Sequence, residues 1–125
     1  MALKILLADD NRMFAAAVKR FLGSVAGATV VGQAYDGLEA LAMARDLAPD
    51  LLLLDIAMPK ADGLEVARQI QQWAKPPLIV FLSMNDNAAY RDAARVLGAV
   101  AFVAKADFVD KLMPVITSLL PPASP

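Results

Sequence analysis

Four places in the sequence carry side chains able to do chemistry together: the acidic pair Asp9-Asp10 with Asn11 behind it, then Asp55, Ser83 and Lys105. Each follows a short apolar run: Leu3–Ala8, Leu51–Leu54, Leu78–Leu82 and Val100–Ala104, respectively. If those runs end at one edge of a common sheet, three carboxylates, a hydroxyl and an ammonium share a crevice. Two carboxylates about 4 Å apart repel by roughly 4 kcal/mol at an effective dielectric near 20. Either one of them takes up a proton at a raised pKa, or a cation resides among them. The chain has no histidine and no cysteine, so any metal must sit on oxygen ligands. Hard oxygen donors on few residues, with room for waters and a phosphate, favour Mg²⁺ over a caged Ca²⁺. Such an ion screens and polarises an incoming phosphoryl group, while Lys105 adds a second positive charge and Ser83 a hydrogen-bond donor. The inventory suits phosphoryl transfer onto a carboxylate, where positioning and charge neutralisation supply most of the catalysis.

Taken singly, each residue has an ordinary alternative. An aspartate or asparagine after a strand often caps the next helix, which applies to Asp9, Asp10 and Asn11. A serine there is usually a turn residue, and a lysine is usually solvated. Asp55 resists that reading, because it follows four leucines and Asp62 is better placed to cap the next helix. The ordered set is what points to a site.

The elements that must position these residues are legible as a βα alternation. A further apolar run, Thr29–Gln33, completes five, and several lack polar alternation, as strands covered on both faces do. Behind the runs lie apolar stripes at helical spacing. They are Phe14, Ala17, Val18, Phe21, Leu22 and Val25; Leu38, Leu41 and Ala42; Leu64, Ala67, Ile70 and Trp73; Ala89, Ala93, Val96 and Leu97; and Phe108, Leu112, Val115, Ile116 and Leu119. Asp36, Asp62 and Asp86 are candidate helix N-caps and Gly98 a C-cap. Pro49, Pro76 and Pro77 stand just ahead of strands. Pro114 falls inside the fifth helix, at a cost of about 3 kcal/mol unless the helix bends or begins irregularly. Five βα units predict an α/β fold with a doubly wound parallel five-stranded sheet of order 2-1-3-4-5, a flavodoxin-like three-layer sandwich. In such sheets the crevice lies beyond the carboxyl ends of the strands, where all four chemical segments fall.

Bulk composition sets outer bounds. With 125 residues, 58% hydrophobic and 20% charged, the chain can bury the core of one domain. A net charge of −1 offers no bulk attraction for nucleic acid or an anionic membrane. Met1 to Leu7 is too short an apolar stretch for a signal peptide, and no run reaches the roughly eighteen residues of a membrane span, so a cytoplasmic protein is expected.

The motifs together resemble the receiver domain of bacterial two-component response regulators, of the chemotaxis-regulator-like kind. The likeness rests on Asp9-Asp10, on Leu53-Leu54-Asp55-Ile56-Ala57-Met58-Pro59 with Asp62-Gly63 following, on Ser83 and on Lys105, and it covers nearly all of Leu3 to Leu120. It implies a receiver domain over 1–120, followed by a Pro-rich tail or the start of a linker over 121–125. It implies a phosphorylation-activated switch, not a turnover enzyme, in which Asp55 accepts a phosphoryl group from a sensor histidine kinase, a phosphotransfer protein or a small donor such as acetyl phosphate. Asp10, Asp55 and the backbone carbonyl of Ala57 would bind Mg²⁺, with Asp9 acting directly or through water. Lys105 would pair with the phosphoryl group, Ser83 would move to hydrogen-bond it, and Phe102 would rotate inward. The surface of the fourth helix, fifth strand and fifth helix would then signal by homodimerising or binding a target. Inverting a 1:99 equilibrium needs about 5.5 kcal/mol, within reach of a doubly negative phosphate newly paired with Mg²⁺, Lys105 and Ser83.

Three positions depart from the commonest family pattern: Met84 after Ser83 where a small residue is usual, Ala106 after Lys105 where many members have proline, and apolar Ala57. A bulky Met84 is expected to crowd the phosphoryl site. Three other readings compete. A haloacid-dehalogenase-type phosphatase resembles this pattern at its Asp nucleophile but has a second Asp two positions on, where Ala57 stands. A receiver-like interaction module would work without phosphorylation. A flavodoxin-like electron carrier would share the fold, yet Asp9 and Asp10 would repel its phosphate.

Overall fold

Four consecutive leucines can all be buried only if both faces of their strand are covered. In the computed structural model, which describes residues 2–121, Leu51, Leu52, Leu53 and Leu54 are each 0% exposed. They form β3 (Leu51–Asp55), the centre of a parallel sheet that also contains β1 (Leu3–Ala8), β2 (Ala28–Ala34), β4 (Leu78–Ser83) and β5 (Ala101–Ala104). The order is β2-β1-β3-β4-β5, as expected. Leu52 and Leu54 face a core shared with α2 (Gly37–Leu47), α3 (Gly63–Ile70) and α4 (Ala88–Val96). Leu51 and Leu53 face a second core shared with α1 (Arg12–Gly23) and α5 (Phe108–Leu119). Each fully buried leucine contributes about 1.5–3 kcal/mol, so β3 anchors both layers.

Helix starts are capped by short polar side chains accepting from the third residue on. Asn11 accepts from Phe14 N at 3.0 Å, Asp36 from Glu39 N at 2.8 Å and Asp62 from Glu65 N at 2.9 Å. The fourth cap differs from expectation. Asn87, not Asp86, caps α4, accepting from Tyr90 N at 2.8 Å, while Asp86 pairs with Arg91. One residue of offset decides it, because a capping oxygen must reach a free N–H of the first turn. At the other end, Gly98 has φ +76°, and Ala99 N and Gly98 N donate to Ala94 O and Arg95 O, closing a Schellman turn.

Two apolar stripes do not face where their spacing suggests. α2 buries Gly37, Ala40 and Ala44, leaving Leu38 57% exposed. The reason is close approach: a Cβ on Gly37 would stand 2.0 Å from the carbonyl oxygen of Ala61, so the smallest side of α2 lies against the loop after β3. α4 buries Ala94 alone and leaves Val96 exposed. Trp73 lies beyond the end of α3 but packs on the same core. α5 runs through Pro114 as one helix, entered by a 3-10 turn at Lys105–Asp107. Pro114 and Asp110, four residues earlier, are both exposed, so the carbonyl that loses its donor is on the water side. Residues 122–125 of the proposed tail lie outside the described residues.

Candidate functional site

Parallel register brings the chemical segments to one edge. Ala8 pairs with Leu54, so Asp9 and Asp55 are the next residues on adjacent strands. Asp55 pairs with Leu82, just before Ser83, and Ser83 pairs with Ala104, just before Lys105. β2, at the sheet edge, adds nothing to the cluster; its following Asp36 caps α2 and pairs with Lys60 at 3.6 Å.

The convergence is tight. Carboxylate oxygens of Asp9, Asp10 and Asp55 all lie within 4.8 Å of one another. Lys105 Nζ sits 2.7 Å from Asp9 Oδ2 and 3.3 Å from Asp55 Oδ2. Asp9, Asp55 and Lys105 are buried, while Asp10 is exposed at the mouth. Backbone donors hold the acids in place. Asn11 N donates to Asp9 Oδ1 at 2.9 Å, and Ala57 N donates to Asp55 Oδ1 at 3.3 Å.

Electrostatically the pocket is under-neutralised. Three carboxylates and one ammonium leave a formal −2. Burial, and secondly the Asp9 carboxylate, push Asp55 up to about 7, which Lys105 only partly offsets. Asp9 Oδ2 is fully buried and lacks a hydrogen-bond partner; Lys105 Nζ lies at ion-pair distance without hydrogen-bond alignment. An oxygen cluster with excess negative charge and an incompletely satisfied buried oxygen fits a hard divalent cation. Among the described residues, the carbonyl of Ala57 accepts no backbone hydrogen bond, so it too is free to act as a ligand.

Ser83 emerges beside the cluster, but its hydroxyl and the Phe102 ring are engaged elsewhere. The Ser83 hydroxyl donates to Asn85 O at 2.9 Å and accepts from Asn85 N at 3.0 Å, within its own loop. Phe102, beside Phe81 in register, is half-buried beneath the Arg91 guanidinium, 4.9 Å from its ring centroid. The Lys105–Ala106 peptide is trans. Among the described residues, a contact to the site that sequence patterning did not flag is Phe14, counted there as a core residue of α1. Its ring centroid lies 4.7 Å from Lys105 Nζ, and helical spacing carries no signal for such a role.

A family model of the response regulator receiver domain matches residues 5–117. The chain belongs to that family. The receiver domain resembles the response regulator MprA of Mycobacterium ulcerans, at 37% identity over 120 residues, 96% of this chain and 51% of that protein. It resembles a protein-glutamate methylesterase/protein-glutamine glutaminase of Myxococcus xanthus, at 38% identity over 104 residues, 82% of this chain and 30% of that protein. The chain thus spans about half or less of the length of these curated relatives. Among solved structures, the response regulator domain of Thermotoga maritima CheB matches with a TM-score of 0.86 and 29% identity, covering 94% of this chain and 96% of that one. The resemblance to receiver domains and the flavodoxin-like fold are therefore shown, and the receiver domain is a regulatory unit of two-component signalling. Among the described residues, no helix is long and apolar enough to cross a membrane.

Proposed function

We propose that this receiver domain is a phosphorylation-activated switch that accepts a phosphoryl group on Asp55 from the phosphohistidine of a sensor histidine kinase or phosphotransfer protein. The observation that carries the reading is Asp55 itself: a buried carboxylate 3.3 Å from the Lys105 ammonium and within 4.8 Å of the oxygens of Asp9 and Asp10. An oxygen of Asp55 attacks phosphorus as the bond to the histidine nitrogen breaks, and Lys105 neutralises charge on the transferred oxygens. Asp10, Asp55 and the Ala57 carbonyl would hold Mg²⁺, with Asp9 direct or through water. Bound there, the ion would polarise the phosphoryl group and balance the acidic cluster. The Ser83 hydroxyl, now bound within its loop, turns to the phosphoryl oxygens, and Phe102 moves inward from beneath Arg91. The α4-β5-α5 surface then dimerises or meets a target.

On this reading the domain catalyses only its own phosphorylation and dephosphorylation, works in the cytoplasm, and binds neither nucleic acid nor membrane itself. Any effector activity belongs to sequence beyond the receiver domain. The test is incubation with acetyl phosphate or phosphoramidate and Mg²⁺. Intact-mass spectrometry should record one added phosphoryl group that Asp55→Asn abolishes. A mass unchanged under every donor would favour a phosphorylation-independent interaction module, and turnover of an added phosphoester would favour a phosphatase.

A further inference from the structure

Lys105 is enclosed on three sides. Two are the carboxylates of Asp9 and Asp55, and the third is the face of the Phe14 ring. That ring is itself held. Phe14 meets Phe108 edge to face, centroids 5.2 Å apart and planes at 72°, and Phe108 meets Phe21 in the same way at 5.7 Å and 85°. Phe108 follows Lys105 by three residues, joined to it through the 3-10 turn Lys105–Asp107. Three rings from α1 and the start of α5 therefore form a ladder that ends on the ammonium.

The ring packs on the core and at the same time presents its face to a cation. A lysine ammonium is a compact charge on a four-carbon stem, and two acids alone do not fix the direction from which it approaches them. The negative face of an aromatic ring attracts the cation while offering no acceptor that competes with the carboxylates. The fully buried positions of α1 are Ala15, Val18 and Leu22, and Phe14 packs partly buried beside them on the same core while presenting its ring face to Lys105.

We propose that Phe14 is a positioning residue of the phosphoacceptor site: its ring face holds the Lys105 ammonium beside Asp55. The role rests on the reading of Asp55 as acceptor.

Two measurements test it. In metal-free wild-type protein labelled at lysine, the ε-methylene protons of Lys105, assigned by Lys105→Arg, should be shifted upfield by the ring current of Phe14. Phe14→Leu should return them to the position of exposed lysines. With acetyl phosphate and Mg²⁺, Phe14→Leu should be phosphorylated about tenfold more slowly, the loss of a desolvated cation–π contact. Phe14→Tyr, which keeps the ring face, should restore both the shift and the rate. An unshifted Lys105 signal in the wild type overturns the proposal even if neither Phe14 variant folds. So does a folded Phe14→Leu phosphorylated at the wild-type rate, or an equal slowing in Phe14→Leu and Phe14→Tyr. Failure of the wild type to be phosphorylated at all sinks the acceptor reading and the positioning role with it. Normal phosphorylation with an unshifted Lys105 sinks the positioning role alone.

Discussion

A Cβ placed on Gly63 would stand 2.2 Å from the backbone carbonyl oxygen of Asp55. The first residue of α3 thus packs directly on the backbone of the central acid, and Gly63 N donates to Ile56 O at 2.7 Å to hold it there. No side chain fits without displacing one of the two segments.

Gly63→Ala should therefore cost about 1–3 kcal/mol, as overpacking of a close-packed interior does. It should also slow phosphorylation of Asp55, because the shift falls on the acceptor's own backbone. Urea unfolding and acetyl phosphate kinetics read the two effects. An unfolding midpoint and rate equal to the wild type would show that the contact relaxes without consequence.

The raised pKa of Asp55 has a definite sign for stability. Its folded value is about 7, against an ordinary carboxylate value of 3.8. Between these the folded state binds more protons than the unfolded state, so this group's contribution falls as pH rises from about 4 to about 7. Asp36 and Asp86 are shifted downward, chiefly by the Glu39 N–H and by Arg91 respectively, and act in the opposite sense at lower pH. The clean measure is the difference between wild type and Asp55→Asn in chelator. The variant should gain thermal stability relative to the wild type as pH rises from 5 to 7.5, each pH being an approximate bracket of the shift. A difference that stays constant across that range would remove the basis for an under-neutralised pocket. Added Mg²⁺ should raise the wild-type melting temperature more at the upper pH than at the lower.

Met84 follows Ser83 directly and is 78% exposed. Its side chain adds little to the core, so Met84→Ala should change stability by no more than about 0.5 kcal/mol. If the side chain screens the acceptor from small donors and water, the same variant should be both phosphorylated and dephosphorylated faster. Unchanged rates in both directions would end that idea.

The cap of α4 separates two adjacent polar residues. Asn87→Ala should destabilise the domain by about 1 kcal/mol, because Tyr90 N loses its acceptor. Asp86→Ala should leave the unfolding midpoint almost unmoved, since its pair with Arg91 is exposed. A larger loss at Asp86 than at Asn87 would reverse the assignment.

Strand positions were the most legible part of the sequence. Unbroken runs such as Leu51–Leu54 have one stable environment, a sheet buried on both faces, and β1 and β3 fall where their apolar residues do. The acids, Ser83 and Lys105 were legible for a related reason: a polar residue closing such a run must emerge at the strand end, whatever helices surround it. Helix facing was less legible. On α2 and α4 some large apolar residues, Leu38 and Val96, lie outward because small residues take the closest approach, and closeness is a property of two elements together, as Gly37 against Ala61 in the loop after β3 illustrates. The direction of the Ser83 hydroxyl and the ring beside Lys105 were likewise decided only in three dimensions. Sequence by itself determined which residues reach the edge of the sheet. Tertiary structure decided which of them touch, because contact depends on the register of neighbouring strands and on the side chains that α1 and α5 bring over that edge.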